Sequence, residues 1–377
     1  MINWKIPLSK PDITKEDREA VNKVLKTNFL SLGPKSEEFE SKIAKFAGVK
    51  YAIAVSSGTS GLQLIVRALG LKEGDEVITT PFSFISSANC LLYERVIPIF
   101  VDIDESTFNI DPSKIEEKIT AKTKAILAVD VFGRPADWAR LTEIAKKHNL
   151  FLIEDSAEAI GSECCGQKCG SFGNAAIFSF YPNKQITAGE GGIILTNDKN
   201  IADLCRSMAN QGRKTEGGKW LEHIRLGYNY RLDEMSCALG ISQLSRIKEI
   251  IKKREKIVKL YGQKLKGINF VVAPDFEEGK KISWFVYVVK LFGKAAQERN
   301  TIISEMAKAG IQCSNYFYPI HLQPFYKEEF HYGDGSFPIA ESAGGRTLAL
   351  PFYNNIKESE IDTVVANLKR IVKEINA

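Results

Sequence analysis

Histidines and closely spaced cysteine pairs are scarce in this chain, which argues against a metal site and against a disulfide framework. The 377 residues include four histidines and seven cysteines. Cys164, Cys165 and Cys169 cluster, but no second pair of ligands stands at zinc-site spacing from them. We therefore expect no metal. An odd number of cysteines within strand and helix patterns fits a reducing compartment rather than a disulfide framework.

Long apolar runs and a large excess of one charge are also missing. No uninterrupted apolar run is long enough to span a membrane, and residues 1–17 lack the apolar core of a signal peptide. The 51 Lys and Arg against 46 Asp and Glu leave a net charge of +5, with both signs interspersed. This excess is too small to indicate a nucleic-acid partner. We expect a cytoplasmic protein that binds neither membrane nor nucleic acid.

Apolar runs alternate with helical patterns through the first half of the chain. Helical patterns lie between most of the runs, at residues 61–69, 83–93, 112–119 and 138–148. Strands that alternate with helices predict an α/β fold, in which a mostly parallel sheet is covered by helices on both faces. The last two strands have no helix between them. Seven strands are predicted, at residues 51–55, 76–80, 97–103, 125–131, 150–153, 175–180 and 193–196.

A helical pattern over residues 244–265, whose polar face is rich in Lys and Arg, leads into the last third of the chain. Such a face is typical of a solvated helix between domains, although it could also contact phosphates. We predict two domains, a large α/β domain over residues 1–245 and a smaller α/β domain over residues 246–377. The second contains a strand, two helices and an aromatic loop, predicted at residues 284–291, 297–309, 358–376 and 316–332.

One lysine comes directly after a predicted buried strand. The strand at residues 175–180 ends in the turn signal 181–183, and Lys184 follows, ahead of a glycine-rich bend at residues 189–192. Partial desolvation or a nearby cation lowers the pKa of a lysine, as Schiff-base chemistry requires. In isolation, an ordinary solvated lysine is the default interpretation of Lys184, because the chain has 51 Lys and Arg.

Polar residues follow three other predicted strands, where open α/β sheets bind ligands. Residues 56–61, Ser-Ser-Gly-Thr-Ser-Gly, could cradle an anion at a helix N-terminus or simply cap that helix. Asp155 follows four apolar residues and Glu154, and could hold a heterocyclic N–H⁺ or cap a helix. Residues 80–85 contain aromatic side chains that could stack on a flat cofactor or fill the core.

An anion cradle, a strand-end acid and a strand-end lysine, in this order, are what a pyridoxal phosphate (PLP) enzyme requires. The chain resembles the DegT/DnrJ/StrS family of PLP-dependent sugar aminotransferases, which have the aspartate aminotransferase fold. The resemblance covers roughly residues 35–244 in collinear order, and YFYPIHLQPFY extends it toward the C-terminus. The other matching stretches are SSGTSGLQL, GDEVITTPFSFISSAN, PIFVDIDESTFNID, VDVFGRPADW, LIEDSAEAIGS, GSFGNAAIFSFYPNKQITAGEGG and LGYNYRLDEMSCALG.

The resemblance implies a role for each matching residue. Lys184 forms the Schiff base with PLP and acts as the acid and base, and Asp155 keeps the pyridine nitrogen protonated. Asn229 reaches the cofactor phosphate from the neighbouring subunit, so that a homodimer shares its active sites. Phe84 stacks on the cofactor ring, Gly58, Thr59, Ser60 and Ser179 bind the phosphate, and Arg231 and His321 face the substrate.

Glu158 departs from the pattern of many family members, which have Gln or His facing the phenolic oxygen of PLP. A carboxylate there should share or hold a proton. Glutamate also occurs in members that resemble perosamine synthases. The implied reaction moves an amino group from an amino acid, glutamate being expected, to a nucleotide-linked keto-deoxysugar, at C4.

Two alternatives remain open at this point. One is a sugar dehydratase of the same family, in which histidine replaces the lysine, so that Lys184 argues against it. The other is a non-enzymatic regulatory or sensor protein on the same fold, which the combination of Lys184, Asp155 and the phosphate cradle disfavours.

Overall fold

The strands of the protein form one large sheet and two small ones. A computed structural model describes residues 4–214, 219 and 222–376. The strands within these residues are β1 (Tyr51–Val55), β2 (Glu76–Thr79), β3 (Ile97–Phe100), β4 (Thr123–Val129), β5 (Phe151–Asp155), β6 (Glu163–Cys164), β7 (Gln167–Lys168), β8 (Ala175–Ser179), β9 (Gly192–Thr196), β10 (Val271–Val272), β11 (Lys280–Lys281), β12 (Tyr287–Leu291) and β13 (Thr347–Leu350).

Helices connect most of these strands. Short 3₁₀ turns add Pro112–Lys114, Glu116–Lys118, Val131–Gly133 and Ile320–Leu322. The α-helices of the described residues are α1 (Lys15–Val24), α2 (Pro34–Ala47), α3 (Gly58–Ala68), α4 (Ser86–Leu92), α5 (Trp138–Lys147), α6 (Lys199–Ala209), α7 (Glu234–Ser245), α8 (Ile247–Lys264), α9 (Gly293–Gln297), α10 (Arg299–Lys308), α11 (Pro324–Phe330), α12 (Pro338–Arg346) and α13 (Glu358–Asn376).

The large sheet confirms the predicted seven-stranded, mostly parallel α/β fold. Its strand order is β1-β9-β8-β5-β4-β2-β3. Strand β9 pairs antiparallel with both β1 and β8, and the other neighbours are parallel. Parallel neighbours are usually joined by a helical crossover, and the connection from β8 to β9 contains no helix, as expected for two strands that pair antiparallel.

Helices cover both faces of the large sheet, which explains why its central strands are apolar on both sides. Successive residues of a strand point to opposite faces. Ile177 of β8 accordingly packs with Leu62 of α3, whereas Phe178 packs with Phe39 of α2. On the same side as α2, Trp138 of α5 lies in a further buried cluster against strand β4.

A second core lies around the antiparallel sheet β10-β12-β13. Helices α8, α10 and α13 contribute its apolar side chains. Ile6, near the start of the chain, also packs there and pairs with Ile311. Phe317 and Tyr326, from the later part of the chain, pack instead with the core of the large sheet. The division at residue 245 stays a proposal. Each of the two cores contains residues from before and from after this position.

Several predicted elements differ in extent or kind from those observed. Residues 112–119, predicted as one helix, form two 3₁₀ turns, the first capped by the side chain of Asp111. The helix predicted over residues 244–265 breaks at Arg246, whose φ of −103° and ψ of 5° interrupt α7 and α8. Strand β12 begins only at Tyr287, because Trp284 has a φ of +54° that no strand residue adopts. The predicted aromatic loop contains helix α11.

Among the residues that the structure describes, no helix has both the length and the apolar character needed to cross a membrane.

The start of β9 packs directly against the loop that leads into α3. A Cβ atom on Gly192 would lie 2.6 Å from the carbonyl carbon and oxygen of Ser57. These are backbone atoms, which cannot rotate out of the way as a flexible side chain can. We expect Gly192→Ala to destabilise the protein by about 1–3 kcal/mol, the usual cost of overpacking. A shift of the urea unfolding midpoint to lower concentration would show it.

The matched control is Gly262→Ala, in helix α8. A Cβ atom there meets nothing within 4 Å, and alanine is the better helix former, so stability should be unchanged or rise by up to about 1 kcal/mol. Equal stability of the two variants would contradict the close packing of β9 against the α3 loop.

Candidate active site

A cavity of about 640 Å³ opens at the carboxyl end of the large sheet. The ends of β5 and β8 and the N-terminus of α3 form its floor, since Asp155, Ser179 and Gly58 all line it. The segment before β12 and residues 315–318 form its opposite wall. Ligands of open α/β sheets bind at this edge, so we take the cavity as the candidate active site.

Lys184 projects into the cavity from the connection between β8 and β9. Its backbone N–H donates to the carbonyl of Tyr181 at 2.9 Å, and its side chain is 12% exposed. The Nζ atom lies 3.7 Å from Glu158 Oε1 and 4.1 Å from the ring centroid of Phe285. Burial lowers the pKa of Lys184, and the charges of Glu158 and Asp155 oppose that shift. A neutral, nucleophilic amine is therefore accessible here.

Asp155 ends strand β5 at the bottom of the cavity and is 4% exposed. Its Oδ2 atom accepts a hydrogen bond from the Ser87 hydroxyl at 2.7 Å, and its Oδ1 atom accepts from the Ala157 N–H at 3.2 Å. Burial raises its pKa, and the hydrogen bonds and Lys184 counteract this. A carboxylate with so few donors favours a cationic partner in the cavity.

Glu158 faces Lys184 from the loop after β5. Its Oε2 atom accepts from the Phe132 N–H at 2.9 Å. Burial raises the pKa of Glu158, and Lys184 is the largest opposing influence. Burial thus favours the uncharged form of both partners, which allows a proton to be shared between them. Tyr316 lies nearby, and burial raises its pKa to about 12.

The predicted anion cradle lies at the N-terminus of α3. Ser57 caps the helix, and Ser60 completes a capping box with it. The Thr59 hydroxyl is 2.7 Å from that of Ser86. A Cβ atom on Gly58 would lie 3.2 Å from the Cβ atom of Ser179, so glycine lets the helix end approach that strand. Backbone N–H groups and the helix dipole favour an anion at this point.

The structure brings most of the predicted site residues together, but not all. Phe84, 61% exposed, lines the cavity with Gly58, Thr59, Ser179 and the three charged residues. The described residues that line it do not include Ser60, whose hydroxyl is engaged by Ser57.

Asn229, Arg231 and His321 also lie outside the lining of this chain's own cavity, as far as the described residues go. Asn229 pairs with Asn210, and Arg231 donates to the Asn210 side-chain oxygen at 3.0 Å. His321 is fully buried, with Nε2 3.0 Å from Glu341 Oε1. The roles of these residues stay predictions.

Sequence reasoning missed several residues of the site. Ser87 contacts Asp155 and Phe285 contacts Lys184, yet neither was singled out from the sequence. The stretch FSFISS, rich in hydroxyls after a strand, was the available signal for Ser87. Asn183 has a buried side-chain oxygen that finds no partner among the described residues. Its position next to Lys184 was the only hint.

The residues present fit the cofactor that the motifs imply. The anion cradle suits a phosphate, and the buried Asp155 suits a ring N–H⁺. Lys184, whose pKa is lowered by burial, suits a carbonyl carbon. Their spacing is set by three different segments of one sheet edge. The unpartnered oxygen of Asn183 leaves a hydrogen-bond acceptor for a bound molecule.

Asp130, Glu154 and Cys169 form a buried group beneath this edge that could geometrically hold a metal ion. Each carboxylate already accepts protein hydrogen bonds. Asp130 accepts from the indole N–H of Trp138 and the hydroxyl of Ser156, and Glu154 accepts from backbone N–H groups. Burial raises the pKa of Glu154 to about 8, so this carboxyl is a poor metal ligand at neutral pH. The expectation of no metal stays a prediction.

The chain is similar over nearly its whole length to known proteins. The model of the DegT/DnrJ/EryC1/StrS aminotransferase family matches residues 11–369. The GDP-perosamine synthase of Escherichia coli O157:H7 is 38% identical over 357 residues, 94% of this chain and 95% of that protein. The spore coat polysaccharide biosynthesis protein SpsC of Bacillus subtilis is 35% identical over 381 residues, 98% of both chains.

The same similarity holds for a solved structure. Helicobacter pylori PseC, an aminotransferase involved in the biosynthesis of pseudoaminic acid, superposes with a TM-score of 0.92. It is 30% identical and the match covers 98% of this chain and 99% of that one.

The geometry predicts how Lys184 responds to its neighbours. Because the Glu158 charge opposes the lowering of the Lys184 pKa, Glu158→Gln should lower that pKa further. At a fixed pH below the pKa, the Lys184 amine should then react several-fold faster with an amine-modifying reagent. Peptide mass spectrometry of the protein without cofactor measures that rate.

Glu190→Gln is the matched control, because Glu190 lines the same cavity but is exposed. It should leave the labelling of Lys184 unchanged. A Glu158→Gln variant whose Lys184 reacts no faster than in the unmodified protein would show that the two groups do not interact.

Proposed function

The chain belongs to the DegT/DnrJ/EryC1/StrS aminotransferase family, and we propose that it moves an amino group from glutamate to C4 of a nucleotide-linked keto-deoxysugar. The family resemblance read from the motifs is confirmed, and with it the PLP-dependent aminotransferase activity on nucleotide sugars. The observation that carries our proposal is that Lys184, Asp155 and Glu158 share one cavity beside an anion cradle.

PLP, when bound, supplies a protonated pyridine ring that takes up the electron pair left on a carbon when its proton is removed. Asp155 would hold the proton on the ring nitrogen, because its buried carboxylate accepts hydrogen bonds only from Ser87 and Ala157 among the described residues. Lys184 Nζ, once neutral, takes the proton from the α-carbon of the amino acid and returns it on the acceptor side. Glu158 shares a proton at Oε1 with the group that faces it, so no second negative charge develops there.

The phosphate of the cofactor would lie at the N-terminus of α3. Gly58, Thr59, Ser60 and Ser179 supply backbone and hydroxyl donors in this proposal, and Phe84 offers a ring beside them. Ser57, which also lines the cavity, fits the same role. A helix N-terminus with small residues accommodates a dianion without a lysine or arginine from the same chain.

Three observations support the finer choice of a C4 aminotransferase of the perosamine type, with a role in polysaccharide biosynthesis. The chain is 38% and 37% identical to two GDP-perosamine synthases over at least 94% of its length. Glu158 is the residue found in members of that kind. The aromatic motif from Tyr316 to Tyr326 contributes its first residues to the wall of the cavity opposite Lys184.

We further propose that each subunit has a PLP-binding domain over residues 1–245 and a smaller domain over residues 246–377.

We also propose a homodimer whose subunits share their active sites. Asn229 lies outside its own chain's cavity, as a residue that serves the partner would. Leu226, 67% exposed, precedes it in the chain. Leu32, 59% exposed, lies beside Ser31, which pairs with Asp233. Apolar side chains exposed in this way favour burial against another subunit.

The proposed function predicts which lysine holds the cofactor and what the enzyme does with it. Borohydride treatment of the PLP-loaded protein should fix the cofactor on Lys184, found by peptide mapping. The enzyme should aminate a C4-keto nucleotide sugar with glutamate, read by mass spectrometry. Lys184→Ala should abolish both results, since Lys184 is the only lysine among the described residues that line the cavity.

Lys168→Ala is the matched control. Lys168 also lies over an aromatic ring, 4.3 Å from the centroid of Phe46, but outside the cavity. It should retain both labelling and turnover. Label on another lysine would overturn the role of Lys184, and a protein that binds no PLP would favour the sensor alternative. Product from C3-keto sugars alone would overturn only the choice of C4.

The shared site is tested by mixing two inactive variants. Lys184→Ala lacks the amine, and Asn229→Asp sets a negative charge against the phosphate. Random exchange of subunits makes half of the dimers mixed, and each mixed dimer has one intact site. About one quarter of all sites should therefore recover activity.

A mixture that exchanges subunits yet stays inactive would show that Asn229 serves its own chain. The control is a mixture of Lys184→Ala with Asp155→Asn. Both changes fall in the same chain's cavity, so each site of a mixed dimer keeps one defect and activity should not return.

A further inference from the structure

The amine of Lys184 is covered by an aromatic ring from a distant part of the chain. Phe285, 2% exposed, belongs to the segment that leads into β12. Its ring centroid lies 4.1 Å from Lys184 Nζ, on the wall of the cavity opposite the sheet. The Phe285 N–H donates to the carbonyl of Phe132 at 3.2 Å. The amine thus has the Glu158 carboxyl near it and an aromatic face over it.

A buried arginine holds the backbone that carries this ring. Arg254, on helix α8, is 3% exposed. Its Nε donates to the Trp284 carbonyl at 2.7 Å, and its Nη2 donates to the Phe285 carbonyl at 2.8 Å. Its Nη1 donates to the side-chain oxygen of Asn354 at 2.7 Å. One planar group therefore fixes two successive carbonyls, which sets the direction of the Phe285 side chain.

Two features make this arrangement unlike an ordinary structural contact. Among the described residues, Arg254 forms no ion pair with a carboxylate, so its buried charge is stabilised by three neutral acceptors and by the face of the Phe352 ring, whose centroid is 4.7 Å from Cζ. Burial lowers its pKa to about 9. Trp284 has a φ of +54°, a conformation that costs energy for a bulky side chain. The chain thus tolerates a buried cation without a carboxylate partner, and a strained residue next to Phe285.

We propose that Phe285 covers the Lys184 amine and controls its protonation, and that Arg254 is a positioning residue that keeps the ring in place. The inference rests on the proposed role of Lys184 and adds residues that determine its reactivity. Neither Phe285 nor Arg254 follows the strand-end pattern from which the site was predicted.

The ring acts on the amine in two opposing ways. It excludes water from one side of Nζ, which favours the neutral amine. Its negative face attracts the ammonium, which favours the charged form. A cation–π contact only partly replaces a hydration shell, so the exclusion of water outweighs it. The ring and the burial of the whole site therefore act in the same direction on the Lys184 pKa, which is lowered.

Other ionisable groups face the amine and must be separated from the effect of the ring. Glu158 and Asp155 raise the Lys184 pKa through their charges. Among the described residues, Tyr316, beside Glu158, and the more exposed Tyr181, Tyr318 and Glu190 complete the ionisable part of the lining. Each Phe285 variant is therefore compared with the same variant in a Glu158→Gln background, where the largest of these charges is absent.

The test measures the titration of Lys184 in the full-length protein after removal of PLP. Competitive labelling of amines with an isotopic anhydride, followed by peptide mass spectrometry, gives the neutral fraction of Lys184 at each pH. Phe285→Ala admits water, so the neutral fraction should fall at least about threefold at a fixed pH below the pKa, the change that half a pKa unit produces. Phe285→Leu keeps the apolar cover but lacks the ring face, so its neutral fraction should rise.

Arg254→Lys tests the positioning role. An ammonium cannot hold two carbonyls in a fork, so the ring should loosen and Lys184 should shift in the same direction as in Phe285→Ala. The matched control is Arg206→Lys, on helix α6. Its guanidinium pairs with Glu40 and donates to the carbonyl of Ala52 at the β1 edge of the large sheet, so it should leave Lys184 unchanged.

Each outcome decides one part of the proposal. If neither Phe285→Ala nor Phe285→Leu moves the titration, the ring does not control the amine. If both variants shift the titration in the same direction, the attraction between the ring face and the ammonium plays no part in the effect of Phe285. If the Phe285 variants behave as expected but Arg254→Lys matches Arg206→Lys, Arg254 is not the positioning residue. Should Phe285→Ala fail to fold, the Leu variant still tests the ring.

The labelling experiment requires no sugar and no turnover. Its failure is therefore distinguishable from failure of the borohydride trapping or of the sugar assay.

Discussion

The structure of the site depends on burying three ionisable groups at one sheet edge. Lys184, Asp155 and Glu158 lose hydration in the same cavity, and loss of hydration opposes charge on each of them. Two acids and one amine cannot all be fully charged there without further compensation. The cavity therefore favours a cationic ring opposite Asp155 and a shared proton beside Glu158. Binding of a cofactor with a basic ring and an acidic oxygen meets both needs.

The surrounding fold keeps this arrangement in place through backbone contacts that side chains could not replace. Gly192 brings the start of β9 against the carbonyl of Ser57, and Gly58 lets α3 approach Ser179. The anion cradle and the lysine-bearing connection are thus packed directly against each other. Ser87, from α4, reaches Asp155 across the sheet edge. The connections after β1, β2 and β8 converge on a single point, because these three strands run in the same direction and end at the same edge of the sheet.

The sequence allowed the sheet and the charged centre to be predicted, since both are local in the chain. Each strand of the large sheet is an apolar run, and Lys184 and Asp155 each follow such a run. Contacts between distant segments were not accessible in this way. Nothing near Phe285 in the sequence indicates that it meets Lys184, about a hundred residues earlier. The 3₁₀ turns at residues 112–118 and the break at Arg246 were missed because backbone dihedral angles, rather than apolar periodicity, determine them.

The second core is therefore part of the chemistry and not only an appendage to the large sheet. It supplies Phe285 through the segment before β12, and Arg254 of α8 ties that segment to Asn354, which follows β13. A shift of this region relative to the large sheet would move the ring and change the access of water to Lys184. The two cores are joined near the amine by the hydrogen bond from Phe285 to Phe132, whose own N–H donates to Glu158. The carboxyl and the ring that flank Lys184 are thus held by the same residue, Phe132, so their positions relative to the amine depend on each other.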